Sequence, residues 1–408
     1  MQRGWCQRTS RTLHRCALAV RAQSLPALQA VCVFVGLIAL AGVHAETVAL
    51  AGFAFAGADQ SVADRFPHTY AISQRSERYI DSRIVPVAKS LTNQNFTLDA
   101  TGNVLEGPLK DRDRAIVAAL VISGETISVE PIAGIYKVYV NLRANTLFFD
   151  YKSLTVVRSF PISIAYIEAL RQPPTESQLA NLVEQLIFGD KGAGLVPAFL
   201  NHLSSASLPG PATRYLRVRT SAIADDVLTQ FPAALRTNRA TVETIVAEQF
   251  SSEISRTGIP LLPYTKGQAV GKPLAIMFAD ATIFNLKIPE PDYAFDVNIL
   301  AFKKIKHAEV AAGASYIYGT LAQIKLSEPL SNRTFLDSQF KNGEVKLVPA
   351  SQSDVADFPA YEDSLRRLFA KFSDAVRAGG SSWIQSSASA KDIQAQIQET
   401  LKIMESCK

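Results

Sequence analysis

Residues 126–164, TISVEPIAGIYKVYVNLRANTLFFDYKSLTVVRSFPISI, decide the fold class. Apolar and polar residues alternate through Thr126–Glu130, Tyr136–Leu142 and Leu147–Asp150, and Leu154–Ile164 follows with the same period. A period of two sends successive side chains to opposite faces of a pleated ribbon, so four strands are expected. Arg143-Ala144-Asn145 has the composition of a hairpin connection, which makes the stretch an antiparallel meander.

On the carboxy-terminal side, Thr175 and Gln178 form a capping box ahead of a helix. Its stripe is Leu179, Leu182, Val183, Leu186 and Ile187, and Gly189 is its stop. On the amino-terminal side, Thr47–Phe55 reads as a buried strand, followed by helices over Tyr70–Leu91 and Asp111–Ser123. Small residues with Pro209, Gly210 and Pro211 interrupt the pattern over Leu203–Ala212.

Beyond that break the same order recurs. A strand at Tyr215–Arg219 precedes a helix over Ala240–Arg256. Strands follow at Pro273–Met277, Ala281–Ile288, Tyr293–Phe302 and Ala314–Leu326, then a helix at Tyr361–Arg377 striped by Leu365, Leu368, Phe369, Phe372 and Val376. Ala115–Ala118 is matched with Thr244–Ala247, and Val140-Asn141 with Val297-Asn298, a weak self-similarity at a period of about 130 to 160 residues that points to shared topology. Ser381–Ser389 reads as a linker, and Ile393, Ile397, Leu401 and Met404 stripe a last helix. The fold class is therefore α+β: two tandem mixed-sheet domains at 46–202 and 213–385 with helices packed on the sheets, plus a C-terminal amphipathic helix at 390–406.

Residues 1–45 carry five arginines, no acidic residue, an uncharged core from Ala30 to Ala41, and small residues at Ala41 and Ala45. That is the form of a signal peptide cleaved after Ala45, and it places the mature chain in the periplasm or outside the cell. The competing reading, an uncleaved span over Leu28–Leu50, would put His44 and Glu46 in its outer half, where an ionised carboxylate is costly. Membrane contact is expected only through the leader if it is kept. Taking its five arginines from the 42 Lys and Arg leaves 37, equal to the 37 Asp and Glu, so the mature chain is neutral and has no phosphate-neutralising excess. The one dense basic string, Arg214–Arg219, alternates as a strand does, and no nucleic-acid partner is expected. Cys6, Cys16 and Cys32 lie in the leader, which leaves Cys407 as a free thiol on a mobile tail.

No catalytic, cofactor-binding or metal-binding residue stands out. His68, His202 and His307 have no second ligand at zinc spacing. Gly267–Pro273 has three residues between its glycines where a Walker loop has four, and proline where Ser or Thr belongs; Gly189–Gly194 follows a helix instead of a strand. Asp111 with Asp113 and Asp225 with Asp226 sit near helix starts, and Asp280 reads as a turn residue.

The strand Thr47–Phe55 and the passage Val242–Pro263, in which a helix runs into Gly-Ile-Pro-Leu-Leu-Pro, resemble a periplasmic module of the curli secretion lipoprotein family and of the amino-terminal domain of the Tol-Pal translocation protein. The resemblance implies a mixed sheet packed by two helices on one face and a protein-assembly role at the cell envelope with no cofactor. The chain departs from the curli family in lacking a lipobox cysteine, so pore formation is not implied. The expectation is an exported bacterial envelope protein, a non-enzymatic interaction or assembly module with an envelope protein partner. The alternative is a small-ligand-binding protein or an unfamiliar enzyme with its site between the two domains, near 203–212.

Overall fold

β1 (Glu46–Ala56) is buried along nearly its whole length because it has neighbours on both sides. β3 (Ile116–Ile132) runs parallel to it on one side, while β2 (Phe96–Asp99) and β7 (Leu274–Phe278) share the other. β4 (Ile135–Asp150) and β5 (Thr155–Leu170) extend the sheet antiparallel beyond β3, and β8 (Ile283–Leu286) extends it beyond β7. A backbone bond from Val156 N to Lys287 O (2.8 Å) brings the end of β8 back to β5, so the sheet curls around Val117, Val121, Phe149 and Ile276. The second sheet has the order β11-β10-β9-β6, from β6 (Leu216–Ile223), β9 (Tyr293–Val310), β10 (Gly313–Glu328) and β11 (Arg333–Pro349). These observations come from a computed structural model that describes residues 46–408 except 58–60, 77, 102–113, 133, 190–192, 211, 266–272, 279, 312 and 351–356. The leader, Asp111 with Asp113 and most of Gly267–Pro273 lie outside the described residues.

The two sheets repeat one another in register. β1 lies parallel to β3 and β6 parallel to β9, and each pair is followed by two antiparallel strands. Three bulges coincide. In the first strand Ala51 lies between Leu50 and Gly52 as Arg219 lies between Val218 and Thr220. In the second, Ser123 follows Ile122 as Leu300 follows Ile299, and in the last, Val157 matches Phe335. A bulge fixes which residues face which side, so its coincidence at three places marks a duplicated module. The bulge at Gly52 has its own support: φ is +92°, a Cβ there would fall 2.3 Å from Asp81 Oδ1, and that oxygen accepts from Phe53 N at 2.7 Å. Burial pushes the Asp81 carboxyl up to about 6.

Helices cover one face of each module. α1 (Pro67–Ser73), α2 (Tyr79–Ala88), α3 (Glu176–Phe188) and α4 (Leu195–Ser205) enclose a core with Leu50, Phe53, Phe148 and Ile162 of the first sheet. α5 (Arg239–Ser255), α6 (Phe358–Arg377), α7 (Ser382–Ser387) and α8 (Ile393–Ser406) enclose a core with Phe295, Val297, Ile324 and Phe340 of the second. α5 is buried all round because it also packs on β5, against the first sheet's far face. The layers therefore run helices, first sheet, α5, second sheet.

The α+β class with mixed sheets, packed helices and a C-terminal helix is the observed architecture. Several element assignments differ from it. Ile116–Ser123 is strand, because a central strand buried on both faces shows a continuous apolar run instead of alternation; Ile116–Ile122 are all fully covered. The match of Ala115–Ala118 with helical Thr244–Ala247 therefore fails, and the register instead pairs Asn141 with Gly319 and Asn298 with Val121. Arg143–Asn145 is no hairpin: β4 passes straight through, with Arg143 buried against α5 and Asn145 bonded to Ser159 of β5. Tyr70–Leu91 is interrupted at Arg78 (φ 57°), and Ser381–Ser387 contains α7, capped by Ser381. Residues 45–408 form one compact unit in which β7 and β8 cross into the first module's sheet. Cys407 is buried at 1% exposure, not on a mobile tail, and burial pushes its thiol up to about 12.

Candidate functional site

The two modules differ in what lies on the far face of their sheets. On the first sheet, the outward row of β4 presents Tyr139, Asn141, Arg143 and Asn145, all buried. Arg143 pairs through Nε with Glu248 of α5, and its Nη1 donates to Thr126 Oγ1 (3.1 Å) and Asn141 Oδ1 (2.8 Å). Ser163 N donates to Ser252 Oγ of α5 at 2.9 Å, and the Tyr139 ring meets Phe358 edge-on with centroids 5.3 Å apart. The layer is polar and largely hydrogen-bonded, and burial on both sides explains why α5 has no single apolar stripe. On its opposite side Gln249 Nε2 donates to Glu362 Oε1 (3.0 Å), a carboxyl pushed by burial up to about 7.

On the second sheet the matching positions are open. By the shared register, Thr126, Ser128, Tyr139, Asn141, Arg143, Ser163 and Ala165 correspond to Lys303, Ile305, Ile317, Gly319, Leu321, Lys341 and Gly343. Those seven residues line a groove of about 540 Å³, bounded where it meets α7 by Trp383. Ile305 is 56% and Val345 61% exposed, on the two strands that flank β10. Three lysines, Lys303, Lys341 and Lys371, line the groove, and no carboxylate does. Lys371 is engaged with Asn342 Oδ1 (2.7 Å) and Glu344, whereas Lys303 and Lys341 make no ion pair among the described residues. Further along the face the charges balance: Arg219 pairs with Asp296, and Lys325 lies between Asp296 and Asp337 on the neighbouring strands.

Gly319 and Gly343 face each other at the floor of this groove. Neither has a left-handed φ, and a Cβ on Gly319 would meet only Lys303 O and Asn342 O at 3.6 and 3.7 Å. Backbone geometry therefore does not demand glycine at 319, whereas a Cβ on Gly343 would come 3.0 Å from Ile317 Cγ2. Paired mid-strand glycines weaken a sheet and mark a place where another chain can come close.

The junction near residues 203–212 is filled. A void of about 10 Å³ remains beside Arg158, Ser159, Tyr215, Leu262 and Cys407, about the space of one water. Leu261 N donates to Ser159 O (3.0 Å) and Leu262 N to Leu216 O (2.8 Å), so the Gly-Ile-Pro-Leu-Leu-Pro segment stitches β5 to β6. That packing speaks against a ligand site there. His202 is buried, bonded to Thr146 Oγ1 (2.8 Å) and stacked on Phe160, and burial lowers it to about 4. His68 lies 3.9 Å from Glu176, and His307 is exposed on β9. Asp225 pairs with Arg239, and Asp280 binds Arg78 and Thr282 N at a turn. The structure brings none of these residues together, and among the described residues no group of three or more His, Cys, Asp or Glu could hold a metal ion. Sequence pattern does not announce the groove, because one of its walls is β11, whose period-two signal is weak; the signal present is the pair of non-turn glycines Gly319 and Gly343.

No family model matches the chain, and no curated protein does. Among solved structures, a Xanthomonas campestris protein of family model DUF330 shares 14% identity over 21% of this chain and 47% of its own length, with a TM-score of 0.16. The chain thus spans about half of that protein, and a TM-score of this size is no match of folds.

Proposed function

We propose that the protein is an exported, non-enzymatic interaction module of the bacterial cell envelope, and that the open far face of its second sheet is the surface through which it assembles with another protein. The observation that carries the reading is the register match between that groove and the seat of α5 on the first sheet. A sheet face patterned like one that already receives a helix, left open and apolar, has the character of an interaction site. The signal-peptide form of the leader supports export, and the resemblance to envelope assembly modules agrees with an interaction role.

A photo-crosslinking amino acid placed at Leu321, with a control at the fully exposed Leu330 of the β10–β11 turn, tests it in producing cells. Discrete protein adducts from position 321 and none from 330 are expected. Absence of adducts at 321, together with a metabolite or metal that raises the thermal midpoint, would replace this reading with a ligand-binding one.

A further inference from the structure

Resting on the interaction reading above, we propose that the partner presents an acidic amphipathic helix, which lies across Gly319 and Gly343 as α5 lies across Asn141 and Ala165. The first module shows the mode: a basic residue of the sheet, Arg143, meets a carboxylate of the helix, Glu248, and small residues beneath let the helix approach. In the second module the basic groups stand at the flanks. Lys303 and Lys341 lie on either side of β10, with Leu321, Ile305, Ile317 and Val345 between and beyond them. Three strands about 4.8 Å apart, over four residue steps of about 3.4 Å each, give a floor for about three helical turns. An apolar stripe on the helix covers the aliphatic residues, and Glu or Asp on its flanks answers the two unpaired ammonium groups.

The same charges exclude a second copy of this chain stacked in the internal manner. The helix it would offer is α2, the counterpart of α5 in chain order, whose exposed charges are Arg83 and, at its C-cap, Lys89, both of the same sign as Lys303 and Lys341. Like charges brought together across an interface disfavour it.

The test uses the full chain and two fluorescein-labelled helical peptides of one sequence, with a leucine stripe flanked by Glu in one and by Lys in the other. Wild type is expected to bind the Glu peptide at least tenfold more tightly than the Lys peptide at low salt. The double variant Lys303→Glu/Lys341→Glu should invert that order, and Lys303→Gln/Lys341→Gln should erase it, with the circular dichroism spectrum and thermal midpoint held. Equal binding of the two peptides, preference for the Lys peptide, or no binding of either overturns the partner chemistry. If adducts at Leu321 still form, the interaction role survives that failure; if they do not, both fall. Elution of wild type as a dimer that the Glu variant breaks assigns the face to a second copy and overturns the proposal as well.

Discussion

The far faces of the two sheets carry the same strand order, register and bulges, yet one is buried under α5 and the other is open. Duplication supplied two equivalent surfaces, and the internal stacking of the modules consumed only one. The difference teaches which residues are structural and which are free. On the covered face the polar residues bond one another and α5; on the open face the same positions hold lysine, glycine and aliphatic residues with no ion pair or side-chain hydrogen bond among the described residues.

The largest effect should come from the covered face. Arg143→Met leaves Glu248 buried without its cation, and a loss of about 3–5 kcal/mol in urea unfolding is expected. Leu321→Ala, at the matching position of the open sheet, should cost about 1–2 kcal/mol, because the side chain is only partly buried and its loss leaves no charge unpaired. Tyr139→Ala, which removes a buried ring from against Phe358, should cost about 3–4 kcal/mol, against about 1–2 for the partly buried Ile317→Ala. Equal costs within either pair would break the comparison.

A smaller effect depends on pH. Glu362 lies behind α5 with its carboxyl raised from 4.5 to about 7, chiefly by burial. The folded state therefore holds this proton where the unfolded chain has released it, and stability falls as pH rises from about 4.5 to about 7. Glu362→Gln removes that penalty. The variant should exceed wild type by on the order of 2 kcal/mol at pH 8 and match it at pH 4.5. A constant difference between the two proteins across that range would show that burial of the carboxyl is not its source.

The smallest effect sharpens the reading of the groove. Gly319→Val places a β-branched residue in a strand interior with room for its Cβ, so stability should stay level or rise by up to about 1 kcal/mol. The same change should remove adducts from position 321 by filling the floor. Loss of stability would mean that the glycine serves the fold instead of a partner.

What was legible in the sequence follows the same division. Helices with one buried face could be read directly: the capping box at Thr175 and Gln178, the stop at Gly189 and the stripe of α6 are all in place. Of the elements buried on two sides, β1 and α5 could be read as well, whereas β3 and β4 could not. The first half of β3 is apolar throughout and imitates a helix, while the polar centre of β4 imitates a turn, since the cation of Arg143 finds its carboxylate on a helix about a hundred residues further on and Asn145 is bonded to Ser159 of the next strand. β11 was missed because its exposed residues alternate weakly, with Gly343, Val345 and Leu347 on the open face. Local pattern cannot encode a partner that lies in the other module, and the candidate surface becomes visible only when the two registers are laid side by side.

Accessibility of the open face in the cell tests the central claim most directly. Leu321→Cys and Val345→Cys, each in a Cys407→Ser background and with Leu330→Cys as control, should react rapidly with a maleimide in the purified protein. In envelopes of the producing cells, cysteines at 321 and 345 should be protected at least tenfold while the one at 330 stays reactive. Equal labelling at all three positions in both settings would contradict the account, since the face would then be open in the cell as well.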